Sequence, residues 1–340
     1  MNNTSNKCPI AIITGCLGSG KTTILSKILK EKEMDRTAVI VNEFGKVGLD
    51  HHLLRKVDEK TVLISGGCIC CSTREDLEKE LTDLLNKKQS GKIPEVNRVV
   101  IETTGLADPA PIVFTVLTNP LLKHHFYIEN IITTIDAVNG LLHLEKQNEA
   151  IKQITVSDKI IITKLDISNP KQVKQLKEKL YALNPSSEII ESRINNINSS
   201  ILFRSEIKDS SYYINKVKSN IEVDNNSDQN IYSLALSFDS PIDWTAFGLW
   251  LSMLLYSHGE NILRVKGLID VGQRGPIVLN GVQHIIHPPQ HLNNWPTNDT
   301  RSHIVFIMKS VVPEDILNSL KCFSNFLGSE VSIMELYSRT

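Results

Sequence analysis

The chain has 340 residues, of which 37 are basic and 38 acidic, and its formal net charge at pH 7 is -1. This length suggests two domains, and a composition with 41% hydrophobic and 22% charged residues argues against wholesale disorder. The balanced charge lacks the positive excess of a general nucleic-acid binder, and no apolar stretch approaches the roughly 20 residues that span a bilayer. We therefore expect a cytoplasmic protein that binds neither nucleic acid nor membrane.

The first 204 residues alternate short strands with amphipathic helices. The strand candidates are apolar on both sides and read PIAIIT (9–14), AVIVN (38–42), TVLIS (61–65), RVVIE (98–102), NIITTID (130–136) and KIIIT (159–163). Helical patterns lie between most of them, for example TTILSKILKEKE, REDLEKELTDLLNKK and PKQVKQLKEKLYAL. This alternation predicts an α/β domain over residues 1–204, with a doubly wound and mostly parallel sheet covered on both faces.

The pattern changes after residue 204. Residues 205–230 are polar and rich in Asn, Ser and Asp, which predicts a linker. Residues 231–340 follow with a segment that alternates like a half-buried strand (YSLALSF), further short strands and two amphipathic helices. Within ILRVKGLIDV, Arg264 and Lys266 alternate with apolar residues, as on a solvated strand face. We expect a smaller α+β domain here.

A phosphate-binding loop follows the first strand. The segment GCLGSGKTT (15–23) fits G-x-x-x-x-G-K-[ST] between a predicted strand and a predicted helix. Its glycines let backbone N–H groups face the phosphates, Lys21 reaches the β- and γ-phosphates, and the Thr22 hydroxyl ligates Mg²⁺. The nucleotide contacts that we predict in this loop are Gly15, Gly18, Ser19, Gly20, Lys21, Thr22 and Thr23.

Two later segments complete a nucleotide site. In ETTGLADP (102–109), Glu102 can hold the Mg²⁺ shell, or merely cap the turn, and the Gly105 N–H can reach the γ-phosphate. Lys21 and Gly105 would stabilise the charge on the γ-phosphate. In TKLD, which begins at Thr163, Asp166 can accept from the two donors of guanine and Lys164 can cover the base. The signature T-K-x-D is weak alone, but its position after a strand favours GTP over ATP.

Three cysteines form the second notable cluster. Cys68, Cys70 and Cys71 follow two glycines and a predicted strand. Such neighbours do not easily pair as disulfides, and three thiolates on one loop can bind a soft or borderline cation such as zinc. The fourth ligand would come from elsewhere in the chain, from the substrate or from water. Buried apolar packing and a redox site are the alternatives, although the latter usually has the spacing C-x-x-C.

The order of these motifs resembles that of the CobW-type metallochaperone GTPases. The resemblance extends over nearly the whole chain. Its motifs in the first domain are GCLGSGKTT (15–23), NEFGKVGLD (42–50), GGCICC (66–71), ETTGLADP (102–109) and TKLD (163–166). In the second domain they are ILRVKG (262–267), GVQHIIHPP (281–289), WP (295–296) and RSHIVFI (301–307).

The resemblance implies GTP hydrolysis to GDP, with Mg²⁺, coupled to delivery of a transition metal to a client metalloprotein. The metal is often zinc, with cobalt and iron as alternatives. The resemblance also makes residues 42–45 a switch segment and Glu43 a further transition-metal or Mg²⁺-shell ligand. Glu43 and Asp108 are candidates by position to orient the attacking water. Nucleotide and metal affinities should then be coupled reciprocally.

Intrinsic turnover should be slow, because no arginine finger is recognisable, and metal, homodimerisation or the client should accelerate it. Two other functions are compatible with the residues. One is a metal buffer or sensor in which the nucleotide only sets metal affinity. The other, less favoured, is a P-loop kinase that phosphorylates a small molecule.

Overall fold

A computed structural model describes residues 7–41, 62–65, 74–191, 196–203 and 231–338 of the chain. The chain divides into two compact units. The first consists mainly of Asn3–Lys177 and Glu188–Ser205, and the second mainly of Glu178–Ser187 and Glu206–Thr340. The predicted linker (205–230) lies outside the described residues, so the proposed domain boundaries stay predictions.

A parallel sheet forms the centre of the first unit. Its strands in chain order are β1 (Cys8–Gly15), β2 (Thr37–Val41), β3 (Val62–Ser65), β4 (Arg98–Glu102), β5 (Phe126–Asp136), β6 (Lys159–Thr163) and β7 (Glu188–Glu191). They are arranged in the order β3-β2-β4-β1-β5-β6-β7, and every pairing is parallel. The predicted α/β fold with a doubly wound sheet is confirmed. The chain direction across the sheet reverses at β1, which is where such sheets bind ligands.

Helices connect these strands. Those described are α1 (Lys21–Ile28), α2 (Arg74–Gln89), α3 (Ala110–Thr118), α4 (Pro120–His125), α5 (Gly140–Lys146), α6 (Asn148–Val156), α7 (Pro170–Leu183) and α8 (Ser199–Phe203). Side chains of β1, β4 and β6 are fully buried in successive positions, for example Ile10–Ile13 and Ile160–Ile162. Burial of consecutive residues requires cover on both faces of the sheet, because neighbouring strand residues point to opposite faces.

Helix α1 is shorter than its pattern predicts. The pattern TTILSKILKEKE continues beyond Ile28, but Lys30 and Glu31 donate their N–H groups only three residues back, to Lys27 and Ile28. A short 3₁₀ turn, Lys32–Met34, follows. This tightening brings Met34, which is fully buried, into the core with Ile24 and Ile28. The early end of α1 is thus coupled to burial of Met34, and tertiary packing commonly overrides helical propensity in this way.

An antiparallel sheet and two long helices form most of the second unit. Its strands are β8 (Ile231–Phe238), β9 (Ile262–Ile269), β10 (Ile277–Val282), β11 (Ile285–Ile286), β12 (Gln290–His291), β13 (Ser302–Lys309) and β14 (Val331–Ser338). The order is β11-β10-β9-β13-β8-β14, and β12 pairs with β10. Helices α9 (Trp244–His258) and α10 (Pro313–Leu327) contribute to a core around Phe247, Trp250 and Phe306. The predicted α+β architecture is confirmed.

Two burial predictions for the second unit are wrong. The alternation in β8 predicts a half-buried strand, but both of its faces are covered, including Ser233 and Ser237. The alternation in β9 predicts a solvated face for Arg264, yet this side chain is fully buried. Alternation shows which side chains share a face of a strand, but it does not show whether the second face is also covered. Within the described ranges, no helix has the length and apolar character needed to cross a membrane.

Candidate functional site

The phosphate loop connects β1 to α1 at the carboxyl edge of the parallel sheet. Gly15, Gly18 and Gly20 have φ angles of 134°, 74° and 97°, in the left-handed region that favours glycine. Gly20 is the residue before α1. These conformations let the loop turn sharply between the end of the strand and the N-terminus of the helix, which is the arrangement that binds phosphate.

Lys21 folds back over this loop. Its Nζ donates to the backbone carbonyls of Gly15 and Cys16, at 2.8 and 3.0 Å, and its side chain is buried. Cys16 is buried as well, and burial raises the pKa of its thiol. Lys21 thus brings a positive charge next to the loop backbone, and the neutral thiol of Cys16 does not offset it.

Thr22 and Glu102 meet across the end of the sheet. The Thr22 hydroxyl donates to Oε1 of Glu102 at 2.5 Å, and the Glu102 side chain is 4% exposed. Glu102 ends β4, and β4 pairs directly with β1. A hydroxyl and a carboxylate side by side are hard oxygen donors of the kind that Mg²⁺ prefers, so these two residues fit the predicted magnesium shell.

The segment after β4, Thr103–Asp108, is called the TTGLAD loop below. Thr103 connects it to β1, because its N–H donates to the Ile13 carbonyl at 2.9 Å and its hydroxyl to that of Thr14 at 2.8 Å. A Cβ on Gly105 would lie 2.5 Å from the backbone nitrogen of Leu17. Only glycine therefore lets the TTGLAD loop approach the phosphate loop so closely.

Asp108, at the end of the TTGLAD loop, already has two protein partners. Its Oδ1 accepts from the backbone N–H of Ala110 at 2.9 Å, at the start of α3. Its Oδ2 lies 3.8 Å from Nζ of Lys152 on α6. These contacts engage both oxygens of the carboxylate next to the start of α3, and the orientation of water by Asp108 stays a prediction.

The segment after β6 lies beside the phosphate loop. The buried Thr163 hydroxyl donates to the carbonyl of Ser19 at 2.7 Å. Lys164 has φ 57° and its Nζ lies 3.5 Å from Oδ2 of Asp136. Asp166 is exposed. Thr163 thus links the phosphate loop to the segment predicted to read the base, and Asp166 remains accessible to a ligand.

Three residues of the site were missed by the sequence analysis. Asp136, at the end of β5, accepts from the N–H groups of Val138 and Asn139 and faces Lys164. The Thr134 hydroxyl bonds to that of Ser19 at 2.6 Å. The sequence contained a signal for Asp136 and Thr134, because polar residues end the strand pattern NIITTID. The third, Gln153 on α6, contacts the TTGLAD loop and has no signal in the sequence.

The predicted transition-metal ligands Glu43, Cys68, Cys70 and Cys71 lie outside the described residues. Within the part of the chain that is described, no group of three or more His, Cys, Asp or Glu side chains could hold a metal ion. The thiol site therefore stays a prediction.

Two family profiles match the sequence. The profile described as the CobW/HypB/UreG nucleotide-binding domain matches residues 9–191. The profile of the C-terminal domain of the cobalamin synthesis protein CobW matches residues 231–323.

Relatives resemble both halves of the chain. The zinc chaperone YjiA of Escherichia coli is 30% identical over 92% of this chain and 97% of its own length. The zinc chaperone CobW of a Sinorhizobium species is 24% identical, over 78% of this chain and 82% of that protein. The crystal structure of the Zn(II)-bound YjiA GTPase from E. coli superposes with a TM-score of 0.70 at 25% identity, covering 94% of this chain and 99% of that one.

Proposed function

The chain belongs to the family of the CobW/HypB/UreG nucleotide-binding domain and has the CobW C-terminal domain, and we propose that it is a GTPase that delivers a transition metal to a client metalloprotein. Zinc is the metal that we propose, because the relatives above are named zinc chaperones. Three clustered cysteines also suit that borderline cation better than magnesium or calcium. The observation that carries the enzymatic part is the bond between Thr22 and Glu102 beside the phosphate loop.

The phosphate loop binds the β- and γ-phosphates of GTP. Backbone N–H groups of residues 15–22 and the N-terminus of α1 attract the anion. Lys21 exchanges its bonds to the carbonyls of Gly15 and Cys16 for bonds to phosphate oxygens, which requires only rotation of a flexible side chain. Lys21 and the Gly105 N–H then stabilise the charge that grows on the γ-phosphate during hydrolysis.

Thr22 and Glu102 hold the magnesium ion of the nucleotide. When bound, Mg²⁺ neutralises phosphate charge and so favours attack by water. The Thr22 hydroxyl can act as a ligand, and Glu102 can bind directly or through a water molecule. Their mutual hydrogen bond supports this role, because it holds both oxygens at the same end of the sheet. Asp108 and Glu43 are the candidates for orienting the attacking water.

Asp166 and Lys164 select guanine. An exposed carboxylate can accept from the ring N–H and the exocyclic amine of guanine, and adenine lacks this pair of donors. The Lys164 stem covers the base. The contact between Lys164 and the buried Asp136 supports this assignment, because it limits where the lysine can lie.

Cys68, Cys70 and Cys71 hold the delivered metal, with Glu43 as a further ligand. Three thiolates leave one position of a tetrahedral zinc site to a weaker ligand, which suits a site that must release its metal. Residues 42–45 follow β2, and the cysteines follow β3, and these two strands pair in the sheet that contains the phosphate loop. GTP and metal affinities should therefore influence each other by the same factor.

Metal titration tests the delivery mechanism. We expect purified protein to bind Zn²⁺ with clearly different affinity when loaded with a non-hydrolysable GTP analogue and when loaded with GDP. The Cys68→Ser/Cys70→Ser/Cys71→Ser variant should lose this binding, whereas Cys322→Ser, which removes an exposed cysteine elsewhere, should keep it. Equal affinities in the two nucleotide states would overturn delivery and leave a metal buffer. Full zinc affinity in the triple variant would overturn the thiol site.

Single-turnover hydrolysis tests the enzymatic part. We expect slow conversion of GTP to GDP and phosphate that accelerates with Zn²⁺ or the client, since no arginine follows the phosphate-loop motif within α1 or the TTGLAD loop. Thr22→Ala should slow hydrolysis and raise the Mg²⁺ concentration that it requires, because one of the two proposed magnesium ligands is lost. Hydrolysis that stays at the uncatalysed rate with metal and nucleotide present would refute the proposal.

A further inference from the structure

Gln153 on α6 is a fully buried polar side chain that contacts the TTGLAD loop. Its Nε2 donates to the carbonyl of Ala107 at 2.9 Å and to that of Gly105 at 3.2 Å. The side chain is 0% exposed. Both hydrogens of the carboxamide nitrogen therefore have acceptors on the same short loop.

The orientation of this carboxamide follows from its partners. Turning it by 180° would place Oε1 against the two carbonyl oxygens, which repel it. In the orientation that satisfies the loop, Oε1 has no hydrogen-bond partner among the described residues. A buried acceptor without a bond is unfavourable, so the donors to the loop have to compensate for it. An apolar residue of similar size would leave the carbonyls of Gly105 and Ala107 without these donors, so the carboxamide supplies a restraint on the loop that an apolar side chain cannot.

Gln153 contacts the carbonyls of the two residues on either side of Leu106 in the TTGLAD loop. Gly105 has no Cβ, and its N–H is the group proposed to meet the γ-phosphate. A bond to the Gly105 carbonyl limits the rotation of that residue, and the bond to Ala107 fixes the loop two residues later. The neighbouring Lys152 reaches the same loop through Asp108, but the two charged groups lie 3.8 Å apart and the lysine side chain is about half exposed.

We propose that Gln153 is a positioning residue for GTP hydrolysis, which holds the TTGLAD loop so that the Gly105 N–H can meet the γ-phosphate. The proposal rests on the proposed GTPase function. Gln153 itself acts through the loop and not on the nucleotide. Losing it should therefore lower the rate of the chemical step and leave most of the binding energy of the nucleotide intact.

Kinetics of Gln153→Leu test this role. We expect kcat for GTP hydrolysis to fall by about tenfold to about a hundredfold, as for a displaced catalytic group. The KM for GTP and the Kd for GDP should change by no more than about twofold, because the phosphate loop is untouched. Ile151→Val on the same helix is the matched control, because an aliphatic side chain makes no hydrogen bond to the loop. Its kcat should equal that of the wild type.

Hydrogen–deuterium exchange gives a readout that does not depend on hydrolysis. In full-length, GDP-bound protein, the backbone amides of residues 103–108 and of Ala110 should exchange faster in Gln153→Leu than in the wild type or in Ile151→Val. If Gln153→Leu does not fold, Gln153→Met, whose side chain has the same length and is more adaptable, replaces it.

Unchanged exchange, or faster exchange with unchanged kcat, would overturn the proposal. Failure of the proposed function looks different. In that case the wild type itself does not hydrolyse GTP, and the exchange data alone then support or overturn the restraint of the loop by Gln153.

Discussion

At the scale of single residues, the site depends on close approaches of backbone that tolerate few side chains. A Cβ on Gly15 would lie 2.2 Å from the carbonyl oxygen of Thr134, on the neighbouring strand β5. Motif analysis predicts glycine here because the phosphate loop must curve. The contact with Thr134 is a second reason why position 15 must be glycine. The motif cannot show this reason, because Thr134 lies far from Gly15 in the chain.

Gly15→Ala should therefore be far more destabilising than an alanine at an open left-handed glycine. Gly91 has φ 66°, and a Cβ added there would have no atom within 4 Å, so Gly91→Ala should cost only the conformational strain of about 1–2 kcal/mol. Gly15→Ala adds a clash with backbone and should exceed that cost and abolish GDP binding. Urea unfolding and calorimetric titration measure both. Equal stability losses in the two variants would contradict the steric argument.

Thr163 provides a second prediction at this scale. Its buried hydroxyl donates to Ser19 at 2.7 Å, so Thr163→Val leaves a phosphate-loop carbonyl without this donor. We expect a loss of about 1–3 kcal/mol in the free energy of unfolding, measured with urea, and weaker GDP binding. Thr118→Val is the control, because the Thr118 hydroxyl donates to the Phe114 carbonyl of its own helix at an exposed position. A GDP affinity equal to the wild type would show that Thr163 does not support the loop.

At the scale of elements, polar contacts at the ends of strands fix the conformation of connecting segments, which the hydrophobic pattern of the sequence does not predict. The segment before β13 is an example. Asp299 accepts hydrogen bonds from the guanidinium of Arg301 at 2.8 and 3.0 Å, and its Oδ2 lies 3.1 Å from Nε2 of the fully buried His303. The Arg301 guanidinium, with a smaller contribution from His303, holds the pKa of Asp299 well below its ordinary value.

This lowered pKa makes the stability of the second unit depend on pH. A carboxylate with a depressed pKa stabilises the fold above the pKa of Asp in the unfolded chain, about 3.9, and that stabilisation is lost as the pH falls toward the lower folded value. Asp299→Asn should thus unfold more easily than the wild type at pH 7, and the difference should shrink below about pH 4.

Chemical denaturation at several pH values measures this difference. Asp239→Asn is the control, because the Asp239 carboxylate lies 3.7 Å from the Arg301 guanidinium at an exposed position and should contribute little. A difference between Asp299→Asn and the wild type that stays constant from pH 7 to pH 3 would contradict the assignment.

At the scale of the whole molecule, each of the two units has its own core, and the nucleotide residues all belong to the first. A ligand that binds only the folded state stabilises the unit that binds it by about 2.7 kcal/mol at a hundredfold excess over Kd. GDP with Mg²⁺ should therefore raise the unfolding temperature of the first unit. ADP at the same concentration should not, if Asp166 reads guanine. Differential scanning calorimetry makes the comparison, and equal shifts with GDP and ADP would refute guanine selection.

The sequence by itself predicted most strands and helices of the first unit, the phosphate loop and the family, whereas β7 and β14 have no counterpart among the predicted strands. These signals are local, because each depends on residues that are adjacent or one helical turn apart. The guanine segment and the three-cysteine motif stay predictions from the sequence alone. The tertiary structure decided which distant side chains complete the site, such as Gln153 on the TTGLAD loop, 46 residues from Ala107. It also decided that Arg264 is buried, because burial depends on what covers a strand, and the pattern of one strand does not contain that information.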